Sequence, residues 1–310
     1  MVVAKPSFKA IDRVTLLYVA VATGAVALSF RGDDIAGWPW LLLAHLLLVV
    51  LVWLAPTARA GSGAVGRFLG DWYPMLLLGA LYGEIGVLTL DAGFQNDPTI
   101  QRLEVWLFGS QVSYRWIRET VSPLLSWVLH ACYVAYYPIL YASPLGLWLI
   151  GKRDASRQTI FAVMVTFYLC YVAFLFFPVA GPRYAFDAAH NAASAVGPAR
   201  FAAWLLDLGD SWGAAFPSSH VAASVVATGM ALRYWRGLGL VLLPFTAGLI
   251  LAVVYGQFHY AVDALAGLVV AAVILAIMPR VDALGSPVAA AARVPSGVNV
   301  RMRGGERLDA

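Results

Sequence analysis

Between residues 14 and 279 the chain is dominated by apolar runs, and stretches such as 38–55 and 238–255 carry no charged side chain at all. A helix of about 20 such residues crosses the roughly 30 Å of hydrocarbon in a bilayer. Backbone N–H and C=O groups find no water there, so only helices and closed barrels can span it. The alternating segments of about 10 residues that mark a barrel strand are absent. The chain is therefore read as all-α, a polytopic transmembrane helix bundle. Its charged fraction agrees: Asp, Glu, Lys and Arg make up 12% of the residues, about half the share in a soluble domain.

Eight spans are predicted, near 14–30, 38–55, 72–90, 122–150, 158–178, 214–233, 238–255 and 259–279. The fourth is long and holds Pro138 and Pro144 as candidate kinks. Loop charge tests the count, because Lys and Arg collect on the cytoplasmic side. With the N-terminus inside, Lys5, Lys9, Arg13, Arg59, Arg67, Lys152, Arg153, Arg157, Arg233, Arg236 and the five arginines from Arg280 onward all fall inside, fifteen of the 21. Arg31, Arg102, Arg115, Arg118, Arg183 and Arg200 fall outside. Both termini are then cytoplasmic. Ala25-Val26-Ala27 after a basic start also fits a cleaved signal peptide, and removing the first run would not change the side of any later loop.

The net charge of +4 is spread over short loops and a tail, so it reads as a topology determinant, with no nucleic-acid partner. Cys132 and Cys170 lie in apolar runs and are expected to pack as small hydrophobes. Two outer loops are amphipathic. Ile100, Leu103, Trp106 and Leu107 recur at helical spacing beside Arg102 and Glu104, and Phe201, Trp204, Leu205 and Leu208 stand opposite Asp207 and Asp210. Each suggests a helix in the interface, or a loop packed on the bundle.

Of five histidines, His45 and His130 sit within apolar runs and are read as packed, hydrogen-bonded helix residues; His190 lies in a polar loop without a pattern. His220 and His259 differ, because each stands at the outer end of a span among turn-forming and polar residues. In Phe216-Pro217-Ser218-Ser219-His220, Pro217 suits a first helical turn, and the amides of Ser218, Ser219 and His220 are expected to face outward, where a helix start attracts phosphate. In Tyr255-Gly256-Gln257-Phe258-His259-Tyr260-Ala261-Val262-Asp263, His259 and Asp263 are four apart and meet on one helix face, so the carboxylate is expected to hold the imidazole. Arg183, in Gly181-Pro182-Arg183-Tyr184, shares their side of the membrane and offers a bidentate fork to phosphate oxygens. Tyr184, Tyr255 and Gln257 are candidate substrate contacts.

The order Arg183, Pro-Ser-Ser-His ending at His220, then His259 with Asp263 resembles the type 2 phosphatidic acid phosphatase (PAP2) superfamily. The Gly-Pro-Arg-Tyr and Phe-Pro-Ser-Ser-His wording, with Asp97 to Gly109 ending Leu107-Phe108-Gly109, is more similar to its inositol phosphorylceramide synthase, or Aur1-like inositolphosphotransferase, branch. The resemblance implies a six-helix catalytic core, here within 71–280, after the N-terminal transmembrane helices in 1–70; the tail, 281–310, is rich in Gly, Arg, Ser and Pro with little to bury and is read as disordered and cytoplasmic. It implies an enzyme acting on phospholipid or sphingolipid phosphate esters. His259 would be the nucleophile, with Asp263 behind it; His220 the acid and base; Arg183, Ser218 and Ser219 the phosphate holders. No metal or cofactor is called for, and the partner is a lipid in the bilayer.

Two departures are informative. Phe176 stands where the phosphatase pattern has a lysine, and Val253 where it has an arginine. Fewer cations favour transfer of a phospho-head group to a lipid alcohol, with phosphatase action on phosphatidic or isoprenyl phosphates as the alternative. Two rivals use overlapping residues: a two-histidine, one-carboxylate metal site of the oxygenase type, and a transporter relaying protons through Glu84. If the chain is bacterial, the expected setting is the inner membrane with the site on the periplasmic face.

Overall fold

The computed structural model describes residues 8–29, 37–61, 63–90 and 93–285. The helices are, in order, α1 (Ala10–Ser29), α2 (Trp38–Gly61), α3 (Ala64–Leu76), α4 (Leu78–Thr89), α5 (Asp97–Phe108), α6 (Val112–Glu119), α7 (Pro123–Val134), α8 (Tyr136–Leu149), α9 (Arg153–Phe176), α10 (Pro182–Ala185), α11 (Gly197–Gly209), α12 (Ser219–Tyr234), α13 (Arg236–Tyr255) and α14 (Ala261–Gly285). Among the described residues there is no strand, only an isolated parallel bridge between Val179 and Ala214. The protein is an all-α integral membrane bundle. Most of the expected tail, 286–310, lies outside the described residues.

Six helical stretches are long and apolar enough to span: Ala10–Ala27, Trp38–Gly61, Pro123–Leu149, Arg153–Phe176, Arg236–Tyr255 and Ala261–Arg280. The remaining two of the eight expected spans differ in kind. The run 72–90 is split at Leu77 between α3 and α4. Pro74 has no N–H to give the Gly70 carbonyl four residues back, and the Arg59 Nε–H takes that carbonyl at 2.8 Å. The run 214–233 becomes α12, only 16 residues long. It is the central helix, packed by α8, α9, α13 and α14, and its Ala, Ser and Val side chains are mostly buried. Small residues let neighbouring helices approach closely, which is how apolar helices associate where lipid is as apolar as they are.

The fourth expected span holds together as α7 and α8, broken at Ala135 just before Pro138. Pro138 thus falls in the first turn of α8, where a missing N–H is harmless. α1 is built into the bundle: Tyr18 stacks on Tyr168 of α9 with ring centres 4.7 Å apart, and the Thr15 and Tyr168 hydroxyls are 3.0 Å apart. Ala25 and Val26, in the possible cleavage motif, are buried. His45 Nδ1 lies 2.8 Å from the Thr23 hydroxyl, which also bonds the Val19 carbonyl, while His45 Nε2 lies 2.6 Å from Glu84. The Glu84 of the transporter reading therefore pins α4 to α1 and α2.

α5 is an amphipathic helix, as its apolar spacing predicts. Asp97, Ile100 and Glu104 are buried, while Leu103, Trp106 and Leu107 are exposed. Leu103, Trp106 and Leu107 point away from the bundle, which fits a helix in the interface, and the carboxylates are turned inward.

Candidate active site

Three helix ends and two loops meet at one end of the bundle. Ser218 caps α12, its hydroxyl accepting the Val221 N–H at 3.3 Å. Pro217 therefore precedes the cap instead of opening the helix; a serine hydroxyl satisfies a first-turn donor and proline cannot. The Ser218 amide donates to the Asp263 carbonyl at 2.9 Å, so it is already engaged, contrary to the outward-facing role expected of it. Ser218 and Ser219 are buried. The helix-start donors that remain are the amides of Ser219 and His220.

α13 ends at Tyr255, and the amides of Phe258 and His259 both turn back to the Val253 carbonyl, at 3.0 and 2.9 Å. The turn puts Gln257 at φ 60°, an uncommon conformation for a residue with a Cβ. His259 Nδ1 lies 2.9 Å from the Ala215 carbonyl oxygen. A carbonyl only accepts, so Nδ1 carries the hydrogen and Nε2 keeps its lone pair. That lone pair faces His220, whose Nδ1 is 3.4 Å away.

Asp263 does not hold the imidazole as expected. Its Oδ2 is 3.6 Å from His259 Nδ1, beyond hydrogen-bond reach, because it accepts the Tyr260 amide at 2.8 Å. The tautomer is set by the Ala215 carbonyl, with Asp263 as a neighbouring charge whose Oδ1 is buried without a partner. This also separates the carboxylate from the face where both imidazoles meet, so the three residues do not form a two-histidine, one-carboxylate metal set. Among the described residues no group of three or more His, Cys, Asp or Glu is arranged to hold a metal.

Arg183 arrives from α10. Gly181, before it, has φ 92°, and a Cβ there would sit 2.9 Å from the Ala215 Cβ, so only glycine lets the loop pass this close. Arg183 Nη2 pairs with Asp207 at 2.5 Å and Nε with Asp210 at 3.5 Å. The structure brings Arg183, His220 and His259 to one cavity of about 20 Å³, about the space one water needs. Tyr133 stacks on the His220 ring and Tyr136 packs on it at 4.4 Å.

Two larger cavities flank this centre. On one side, about 530 Å³ is lined by His130, Arg183, Tyr184, His190, Arg200 and Gln257 among others. On the other side, about 250 Å³ between α4, α8, α9 and α11 is lined by Tyr82, Tyr136, Tyr137, Tyr141, Tyr171 and apolar side chains, and reaches Ser219 and His220. Tyr184 donates to Asp210, and burial, aided by that carboxylate, pushes its phenol up to about 12. Gln257 lines the larger of the two cavities with its buried Nε2 unpartnered. Tyr255 is not brought to the site; its hydroxyl donates to the Thr120 carbonyl and its ring packs on Trp116. Phe176 is exposed and Val253 buried, and among the described residues lining the central cavity Arg183 is the one Lys or Arg. Sequence reading missed the Ala215 carbonyl, for which no side-chain signal exists, and the pairing of Arg183 with α11, for which Asp207 and Asp210 were a visible hint.

Compared with models of known protein families, residues 99–277 match the one described as PAP2 superfamily. No curated protein and no solved structure matches the chain.

Proposed function

The chain belongs to the PAP2 superfamily, and on that premise we propose that it is a membrane lipid phosphotransferase working through a phosphohistidine on His259. The observation that carries this reading is the directed His259 imidazole: Nδ1–H held by Ala215, Nε2 bare and facing His220 in the cavity that Arg183 also lines. Nε2 attacks phosphorus, the bond from phosphorus to the leaving oxygen breaks, and protonated His220 gives that oxygen its proton. In the second half the acceptor hydroxyl loses its proton to His220, its oxygen attacks phosphorus, and the P–N bond breaks to release His259. Arg183 and the amides of Ser219 and His220 carry the charge on the phosphoryl oxygens, which is most of what phosphoryl transfer asks of a protein.

Transfer is favoured over hydrolysis of a monoester by the local charge. Of the residues lining the central cavity Arg183 is the sole Lys or Arg, and Asp207 and Asp210 already engage it. A dianionic phosphate wants more positive charge than that; a diester carries one charge less. The flanking cavities also suit a diester, with a polar arm toward Arg200 and Gln257 and a lipid arm among the tyrosines. The likeness to the inositol phosphorylceramide synthase branch supplies the first donor to try, an inositol phospholipid, with a ceramide or diacylglycerol as acceptor. In keeping with the loop charges, we place the site on the extracytoplasmic face.

Product analysis by thin-layer chromatography and mass spectrometry tests the reading. Purified protein is given phosphatidic acid alone, then phosphatidylinositol with ceramide or diacylglycerol, beside His259→Ala. A new head-group-bearing lipid without free phosphate, lost in the variant, is expected. Free phosphate from phosphatidic acid would instead make the enzyme a lipid phosphatase.

A further inference from the structure

We infer that α5 is the positioning element of the site, and that its two buried carboxylates, Asp97 and Glu104, hold the Arg183 loop and the His259 loop in register with each other. They are seven residues apart and so lie on one helix face; both are fully buried, and among the described residues neither forms an ion pair with Lys or Arg. Each is instead satisfied by backbone amides of the loops that carry the proposed chemistry. Asp97 Oδ2 accepts the Ala180 N–H and Oδ1 the Gly181 N–H, both at 2.9 Å. That clamp ends two residues before Arg183. Asn96 adds a bond from its side-chain amide to the Pro178 carbonyl at 2.9 Å.

The same helix reaches the histidine loop twice. Tyr260, next to His259, donates its hydroxyl to Asp97 Oδ1 at 2.9 Å and accepts from Gln101 at 2.9 Å. Burial, with the Asp97 carboxylate beside it, raises the Tyr260 phenol and keeps it a donor. Glu104 Oε1 accepts the Ala261 N–H at 2.8 Å and the Ser113 N–H at 3.2 Å, and Oε2 accepts from the Ser113 hydroxyl and from Gln111. The loop held by Asp97 also pairs through Val179 with Gly213 and Ala215, and Ala215 is the residue whose carbonyl orients His259. A single rigid helix thus fixes Arg183 and reaches His259 from both sides, through Tyr260 and Ala261 directly and through Val179 and Ala215 indirectly. Misplacing a reacting group by about 1 Å can cost about 10²-fold in rate.

This rests on the role given to His259 above, so the test reads both turnover and the His259 ring itself. Asp97→Asn and Glu104→Gln keep the side-chain shape but turn an amino group toward an amide donor, and Tyr260→Phe removes only the bonds of one hydroxyl. Each is purified in detergent, the folded fraction is isolated by size exclusion, and kcat and KM are measured with the lipid substrates. His259 modification by diethylpyrocarbonate is followed by peptide mass spectrometry. Positioning predicts that kcat of the folded protein falls about 30-fold or more in the two carboxylate variants and several-fold in Tyr260→Phe, with KM within about threefold. It also predicts a His259 modification rate changed by at least about threefold. Folded variants with wild-type kcat and wild-type modification would overturn it, as would losses explained wholly by less folded protein. Should Asp97→Asn and Glu104→Gln fail to fold, Tyr260→Phe decides by the same two readouts. Wild-type protein that turns over no lipid phosphate ester would refute the proposed function, and the modification rates alone would then judge the role of α5.

Discussion

The two ends of the bundle solve the same problem, a buried carboxylate, in opposite ways. Away from the site, Asp12 and Asp71 are met by cations: Arg59 pairs with Asp12 at 2.5 Å and with Asp71 at 3.3 Å, Arg157 with Asp71 at 2.8 Å and Lys9 with Asp71 at 3.4 Å. At the site end, Asp97, Glu104 and Asp263 each accept backbone amides, joined at Asp97 and Glu104 by uncharged side-chain donors. Ion pairs tie helix to helix, here α1, α2, α3 and α9, and leave loops to themselves. Amide bonds to a carboxylate fix the path of a loop, which is what a reacting side chain on that loop needs. The first arrangement belongs to assembly and the second to geometry.

That contrast can be broken at either end. Replacing His259 with Ala is expected to lower turnover by at least about 10³-fold while the thermal unfolding midpoint in detergent stays near wild type; activity within about tenfold of wild type would remove His259 from the mechanism. Arg59→Ala should do the reverse. It removes the cation from buried Asp12, which keeps the Lys9 amide and the Tyr73 hydroxyl, and breaking a buried pair costs about 3–5 kcal/mol, so the midpoint should fall sharply with kcat per folded molecule unchanged. A loss of kcat in the folded fraction would mean that the two ends are coupled.

Smaller effects sharpen the picture. Arg183→Lys retains charge and loses the planar fork, and about a tenfold fall in kcat/KM is expected; full activity would argue that Arg183 serves only to pair α10 with Asp207 and Asp210 of the α11 region. Arg115→Ala removes an exposed i,i+4 pair with Glu119 and should shift stability by under about 0.5 kcal/mol with no change in rate. A larger change there would show that α6, which carries Ser113 and is preceded by Gln111, both partners of Glu104, also takes part in positioning.

Much of the fold was legible because membrane helices announce themselves by length and apolarity, and the convergence of Arg183, His220 and His259 was legible because each ends a span on the same side. The inward side of α5 was not. Its apolar residues at helical spacing suggested a helix in the interface or a segment packed on the bundle, and nothing in that spacing says that Asp97 and Glu104 turn inward to accept amides of distant loops. The break at Leu77 was hidden for a related reason: Pro74 announces a lost bond, while the arginine that takes up the orphaned Gly70 carbonyl comes from another helix.

By itself, then, the sequence determined that this protein is a helical membrane bundle and which ionisable residues its spans deliver to one end, because transfer into hydrocarbon is a property of each segment alone. Only the tertiary structure decided what those residues face. His259 is held by the Ala215 carbonyl and not by Asp263, the Ser218 amide goes to the Asp263 carbonyl, and Asp97 and Glu104 grip loops 83 and 157 residues further along the chain. Such bonds run to backbone atoms that every residue shares, so no side-chain pattern records them; they exist only once the packed helices have set the loops within 3 Å of their partners.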